Sequence, residues 1–369
     1  MVAGVDYREM LQLSLKRAKE EMTCSGQIIL SWPGAVMFNA SEIPLPGLVD
    51  GAKGEIFLDG QLAGTIRIDT RTSQGTPTSY QLTLAFRGLS SSIVDSHADH
   101  PSGQENKKTP GQISKKLMEG HDSQLEDQSG ESQQLERYIV DEGETIARGI
   151  RRATREYGLV ASENPQGNVV LAKRGHDQGG MGHPLILGKN FIQWSTKRDM
   201  APRNQKTKAK GNAVPTDKKY GKDAEEMAGQ AIDNYVKFKK EQHVLIDSDH
   251  SKDTLKKRAV TEARRRASQG LNVELTLSTW SDDGGQLWAV GKSHMVVIPV
   301  DGISDLLVIS QVQFTLDREK RETRVTLVPK ESFGDESGSG GDSGGAAGKG
   351  GGGGSQVMSP DIQGSVDSG

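Results

Sequence analysis

The stretch Tyr138–Lys173, YIVDEGETIARGIRRATREYGLVASENPQGNVVLAK, decides how the chain is read. It spells strand, turn, helix and hairpin. Tyr138, Ile139 and Val140 are β-formers, and Asp141–Gly143 is a turn. Thr145 is placed to cap a helix, with Glu142 and Glu144 at its positive end. Ile146, Ile150 and Ala153 recur at helical spacing, Tyr157 continues that face, and Gly158 ends it. Leu159–Ala161 and Val169–Leu171 are short strands on either side of the polar turn NPQGN. A unit this small with one apolar face must dock on something. It carries no obvious chemistry, which leans away from an enzyme.

The rest of the chain sets the frame for that unit. With 369 residues, the length suggests two or three domains. Hydrophobic residues make up only 33%, so part of the chain is polar sequence outside any core. No apolar run approaches the ~20 residues of a membrane helix. The opening MVAGVDYREMLQL lacks the basic-then-apolar order of a secretion signal. The single cysteine, Cys24, excludes an internal disulfide and fits a reducing compartment. A net charge of -3 argues against a dedicated nucleic-acid binder.

Two regions read as β-rich. In the first, Leu11–Val94, helical and strand signals compete over LQLSLKRAKEEM, and propensity alone favours a helix there. Gly26–Trp32 is a strand. Glu55–Thr70 is the clearest hairpin, turning at Asp59-Gly60, with Ile56, Leu58, Ile66 and Ile68 expected on one face and Arg67 and Asp69 on the other. Ser79–Gly88 alternates Tyr80, Leu82, Leu84 and Phe86. Residues 97–137 are polar, with a short helix at ISKKLMEG. His183–Asp199 adds a strand-like run, and residues 200–222 are basic. Two helices are expected, Ala224–Lys240 and Thr254–Ser268, the second ended by Gly270. The second β-rich region runs from Leu271 to Pro329, with a turn at Asp282–Gly285. From Ser332 onward the Gly/Ser-rich composition cannot bury a core.

Tyr138–Ile150 resembles the opening of a LysM peptidoglycan-binding module, except that Gly149 holds the last apolar position and Ile150 follows it. The hairpin residues Gly167, Asn168, Val170 and Leu171 fit better the centre of the Mu-type phage baseplate hub family, whose "G-E-T" helix leads into a "G-N-x-V-L" hairpin. That second resemblance extends along most of Leu13–Phe333. It runs through LSLKRAKEEMTCSGQIILSW (Leu13–Trp32), GEIFLDGQLAGTIRIDT (Gly54–Thr70) and LTLAFRGLSSSIVDS (Leu82–Ser96). It continues through LILGKNFIQWS (Leu185–Ser195), LWAVGKSHMVVIPV (Leu287–Val300) and LLVISQVQFTLDREK (Leu306–Lys320). Each piece is weak; their order and spacing are specific. The match converts residues 13–20 from helix to strand. Segment 98–135 departs by being more polar than the family's helix, and the Gly-rich tail has no counterpart.

The resemblance implies an α+β, β-rich fold: two antiparallel β-barrel-like tube domains with a small LysM-like α/β unit between them. The expected domains are 1–96 as the first barrel-like domain, completed by 183–212; 97–137 as a polar linker with a short helix; and 138–182 as the LysM-like unit. Then come 183–270 as strand, basic loop and helices, 271–333 as the second barrel-like domain, and 334–369 as a flexible tail. Functionally it implies a structural baseplate hub of a contractile phage tail, without enzymatic activity. Three copies would form a ring joining the hexameric tail tube to the threefold central spike. The implied partners are a second and third copy, the tail tube or a tube-initiator protein, the central spike and the baseplate wedge proteins. No membrane is implied for the free protein, and the ring leaves room for transient passage of DNA. The implied location is the virion baseplate, after assembly in the host cytoplasm. The alternatives are the hub of a phage-like secretion or injection device, and a LysM-type wall-binding protein.

Several motifs were weighed as chemistry and set aside, leaving no expected catalytic, cofactor or metal residue. Gly341–Gly345 spells GDSGG, the nucleophile string of chymotrypsin-type proteases. Ser343 nonetheless sits in a tail where that string arises by composition, and a triad is a matter of geometry. Asp95, His97, Asp99 and His100 have ligand-like spacing, but no later His/Cys pair completes a metal set. The basic run Lys197–Lys222 holds a single aromatic, Tyr220, and reads as a solvated loop or a contact with an acidic neighbour rather than a DNA site. Helix Thr254–Ser268, with Arg258 and Arg264–Arg266, reads as packed on the second barrel. Trp280 and Trp288 read as core or interface anchors.

Overall fold

The structure, a computed structural model, describes residues 10–19, 21–33, 50–99, 102–155, 157–173, 180–211, 227–246, 252–329 and 362–366. They form two compact units. Unit 1 comprises Met1–Trp194, Glu274–His294 and Val308–Leu327; unit 2 comprises Ser195–Val273, Met295–Leu307 and Val328–Gly369.

The first β-rich region supplies β1 (Met10–Ala18), β2 (Ser25–Pro33), β3 (Lys53–Leu58), β4 (Gln61–Thr76) and β5 (Ser79–Gly88). The middle of the chain follows with α1 (Ser91–Asp95), β6 (Gln104–Lys108), α2 (Pro110–Leu117), β7 (Leu125–Asp127), β8 (Leu135–Ile139), α3 (Ile146–Arg155), β9 (Leu159–Glu163) and β10 (Val169–Lys173). Next come β11 (Leu185–Ile186), β12 (Gln193–Arg198), β13 (Lys206–Gly211), β14 (Met227–Asp233), β15 (Glu241–Ile246) and α4 (Lys252–Ser268). The second β-rich region gives β16 (Leu271–Leu277), β17 (Ser293–Ile298), β18 (Ile303–Leu316) and β19 (Arg321–Pro329), and the tail adds β20 (Ile362–Val366).

In unit 1 the main sheet runs β16-β19-β18-β1-β2-β5-β4-β3. The two β-rich regions therefore meet edge to edge in one sheet, through β1 and β18. β1 pairs antiparallel with β18, Leu13 opposite Leu316 and Leu15 opposite Phe314, and on its other edge with β2. With both edges paired, β1 is a central strand. Its Leu13 and Leu15 point into the core at alternate positions, and this period-2 burial overrides the helical propensity of the segment. No closed barrel forms from this order among the described residues.

The Asp59-Gly60 hairpin forms as expected, with φ of 50 and 77 at the two turn residues. Ile56, Leu58, Ile66 and Ile68 are all buried on one face. Arg67, on the other face as expected, pairs with Asp122 of the same chain. Beyond Ile68, β4 runs on exposed as far as Thr76, paired to β5, whose Leu82 and Leu84 stay buried.

The segment expected as a polar linker, 97–137, is folded. Ile113, Leu117 and Met118 of α2 and its end share one core with Tyr138, Ile146, Ile150, Val169 and Leu171. Helix α2 forms because Thr109 and Gln112 make a reciprocal capping box ahead of Pro110. β7 then joins β10 in parallel, and β9 pairs β10 antiparallel, so these helices and strands make one middle domain around a shared core. Gly149, at the departure from the LysM pattern, is a point of close approach. A Cβ there would lie 3.1 Å from both Leu117 Cδ1 and the Tyr138 hydroxyl.

In unit 2 a four-stranded sheet has the order β15-β13-β14-β20, with β13 antiparallel to β14 and parallel to β15. This corrects the helix expected at Ala224–Lys240, whose described part is strand β14, the connection after it and Lys240. The reason is contact with α4. A Cβ on Gly229 would lie 2.2 Å from the Lys256 amide nitrogen, and Ala209 and Ala231 are buried against Leu255, Ala259 and Ala263. Small residues that suit a helix in isolation here let a helix backbone lie against the sheet. Helix α4 itself forms where expected. Part of the expected basic loop is strand β13. The tail expected to be without structure supplies β20, antiparallel to β14. Among the described residues, no helix is long and apolar enough to cross a membrane.

Candidate assembly site

The strongest polar construction in unit 1 joins the middle domain to the main sheet, and it centres on Glu163. This residue ends β9 in the alternation begun by Leu159 and Ala161, so its side chain is buried. The carboxylate accepts the Cys24 amide at 2.6 Å on Oε2 and the Ser90 amide at 3.0 Å on Oε1. Ser90 Oγ also donates to Oε1 at 2.6 Å. From β1, Arg17 donates to the Glu163 carbonyl at 2.5 Å. Gly88 is required beside it, since a Cβ there would sit 2.0 Å from the carboxylate. Burying a charge is tolerable only when donors surround it, and here Cys24, ahead of β2, and Ser90, after β5, supply donors to an acceptor at the end of β9.

The adjacent turn NPQGN completes the joint. Thr65 Oγ1 donates to the Pro165 carbonyl at 3.0 Å. Gly167 has φ +83 and touches Leu89 so closely that a Cβ would come within 2.9 Å of it. At the joint's edge, Lys53 Nζ lies 3.1 Å from Asp122, with Arg67 on the other oxygen. The Lys53 ammonium and the Arg67 guanidinium hold the Asp122 carboxyl below its usual range. Arg87 spans Asp69 of β4 and Asp95 of α1, and its hydrogen bonds hold Asp95 low as well.

A second joint lies at the Asp59-Gly60 tip. Arg321 pairs with Asp59 and stacks 4.1 Å from the centre of the Trp280 ring. Gln61 Nε2 donates to the Gly285 carbonyl at 2.7 Å. Trp280 and Trp288 are buried anchors, as expected, and their indoles donate to the carbonyls of Thr315 and Thr279. Burial opposes ionisation of Asp282 in this turn. Lys292 Nζ at 2.7 Å and the amides of Gln286 and Gly284 outweigh it and hold the carboxyl below its usual range.

The groups weighed as chemistry do not assemble. Asp95 serves Arg87, the His97 backbone bridges Thr145, and His100 and Ser343 lie outside the described residues. Among the described residues no cluster could hold a metal. Burial, reinforced by the Glu163 charge, pushes the Cys24 thiol well up, which leaves it protonated and unreactive. Burial lowers His294, which contacts the His183 carbonyl through Nδ1 at 2.9 Å, a structural role. Sequence reasoning missed Glu163. The one signal for it was an acid standing at a buried position of a strand alternation.

Comparison with known proteins places this arrangement. A family model described as "Baseplate hub protein gp44-like, second domain" matches residues 90–173, the middle domain found above. The baseplate hub protein gp44 of Escherichia phage Mu is 26% identical over 303 residues, covering 78% of each chain. The chain is thus similar to a Mu baseplate hub protein along most of both chains. In fold, a 43 kDa tail protein of prophage MuSo2 from Shewanella oneidensis matches with a TM-score of 0.78 at 18% identity, covering 90% of this chain and 98% of that one. An Escherichia coli component of the type VI secretion system, itself described as similar to T4 tail proteins gp27 and gp5, matches with a TM-score of 0.56 at 12% identity. That match covers 89% of this chain and 76% of the other. The LysM-like stretch lies within the segment that the second-domain model matches.

Proposed function

We propose that the chain is a structural baseplate hub protein of a contractile phage tail. The observation that carries the reading is the homology to a hub protein along most of both chains, together with a middle domain locked to the main sheet through buried Glu163. Such a joint suits a part that transmits load. Three copies form a ring between the sixfold tail tube and the threefold spike, with the tube or its initiator, the spike and the wedge proteins as neighbours. It assembles in the host cytoplasm and ends in the virion. Mass measurement of the hub bound to its tube or spike neighbour tests this: three copies are expected, and two or six would overturn it.

The protein acts without catalysis in this reading. Replacing Ser343 by Ala is expected to leave assembly and infectivity unchanged, and loss of a proteolytic activity in that variant would refute the point. The likeness to a type VI component supports a second reading, the hub of a secretion device. Phage particles that lack the protein when its gene is disrupted, and regain it on complementation, would favour the virion.

A further inference from the structure

Unit 2 presents a surface that the hub reading does not use. Lysines and arginines outnumber acids by more than two to one among its described residues, in a chain whose net charge is -3. Lys206, Lys208 and Lys210 alternate along β13. Thr207 and Ala209, between them, are buried, and Ala209 packs in the α4 core. The three lysines therefore stand on the face of the sheet away from α4. Register puts His243 of β15 beside Lys208 and Glu241 beside Lys206 on that face. Among the described residues, no ion pair engages these three lysines. Alternate residues of a strand repeat every ~6.6–6.8 Å, a regular row of positive charge.

At the end of this row the β14–β15 connection, Asn234–Lys240, reads NYVKFKK. Tyr235 is 45% and Phe238 55% exposed, interleaved with Lys237 and Lys239. The connection is held in place. Val236 is buried, and Arg203 makes two 2.8 Å hydrogen bonds to Asp233. Asp233 also accepts the Tyr235 amide at 3.0 Å, and the Arg203 guanidinium lies 4.3 Å from the centre of the Tyr235 ring. Two aromatic rings are thus exposed beside a row of lysines, and Tyr235 is held in place.

We propose that this face of unit 2 binds single-stranded nucleic acid, the lysine row meeting phosphates and Tyr235 and Phe238 stacking on bases. A charged track combined with aromatic platforms is what sequence-tolerant single-strand binding requires. An acidic protein would satisfy the lysines but gives no reason for two exposed rings among them. The inference rests on unit 2 alone and does not depend on the hub reading.

The test is fluorescence anisotropy of the full chain with a labelled oligo-dT, the matching duplex, heparin and polyglutamate, across a salt series. Tighter binding of oligo-dT than of heparin or polyglutamate is expected. Each phosphate contact contributes about 0.7 to the log–log salt slope for a single strand, so Lys206→Gln/Lys208→Gln/Lys210→Gln should flatten it by about 2. The corresponding triple arginine variant should keep the slope. Tyr235→Ala/Phe238→Ala should lose about tenfold or more for oligo-dT, with the slope and the heparin affinity unchanged. Equal binding of heparin or polyglutamate, with no effect of the aromatic variant, would overturn the proposal. So would a salt slope indifferent to the lysines, or absence of salt-dependent binding. Thermal melts of each variant separate loss of the site from loss of fold.

Discussion

The middle domain and the four-stranded sheet of unit 2 both lay a helix on strands, with opposite materials. The middle domain packs large side chains, Ile113, Leu117, Ile146, Ile150 and Leu171, around α2 and α3. Unit 2 brings α4 down on Gly229, Ala209 and Ala231. The first arrangement keeps backbones apart and fills the gap; the second removes the gap. The first should tolerate small losses of volume, while the second should tolerate no gain. That difference also decides which region announces itself in the sequence, because large apolar residues mark a period and small ones do not.

The largest effect should come from filling the close approach in unit 2. Gly229→Val places carbon against the α4 backbone, where no side chain can yield, and is expected to cost about 3 kcal/mol. Denaturant unfolding checks this. A loss under about 1 kcal/mol would mean that α4 does not lie where described. Next is the joint: Glu163→Ala leaves the buried amides of Cys24 and Ser90 without an acceptor and should cost about 2–3 kcal/mol. Calorimetry should then resolve a separate, earlier transition for the middle domain. A single unshifted transition would make the Glu163 contacts incidental.

Smaller changes sharpen the contrast from the other side. Ile150→Val, in the centre of the large-residue core, should cost only about 1 kcal/mol, well below the opposite change at Gly229. Tyr138 supplies a pH arm. Burial pushes its phenol up to about 12. The folded state then keeps a proton that the unfolded chain releases near pH ~10. This contribution is complete below that pH and is lost as pH rises towards the folded value. Tyr138→Phe should flatten the alkaline end of the stability profile, at about 1 kcal/mol for the lost bond to the Gly149 carbonyl. An unchanged alkaline slope would remove Tyr138 from the account.

The hairpin at Asp59-Gly60 and the helix from Ile146 were legible because each carries its period in bulky residues and its boundary in a turn or cap. Strand β1 was legible only through resemblance, since LQLSLKRA supports either period until both neighbours are known. Strand β14 was illegible: Gly229 and Ala231 are small for the sake of a helix nearby only in the fold. Of the joint, the turn NPQGN was visible but not its purpose. Glu163 looks like any surface acid until Cys24, Gly88 and Ser90, far away in sequence, are brought against it.

The place of Cys24 makes that joint measurable without any label. Its backbone holds Glu163 and its thiol is buried behind the same contact, in a chain with no other cysteine. An alkylating reagent can react only in molecules where that interior has come open, so the modification rate counts openings. If the middle domain lifts from the sheet before the whole unit unfolds, labelling will outrun global unfolding. The ratio of the two rates then gives the free energy of lifting alone. The chain thus contains its own clock for the step by which an assembled part would yield under strain.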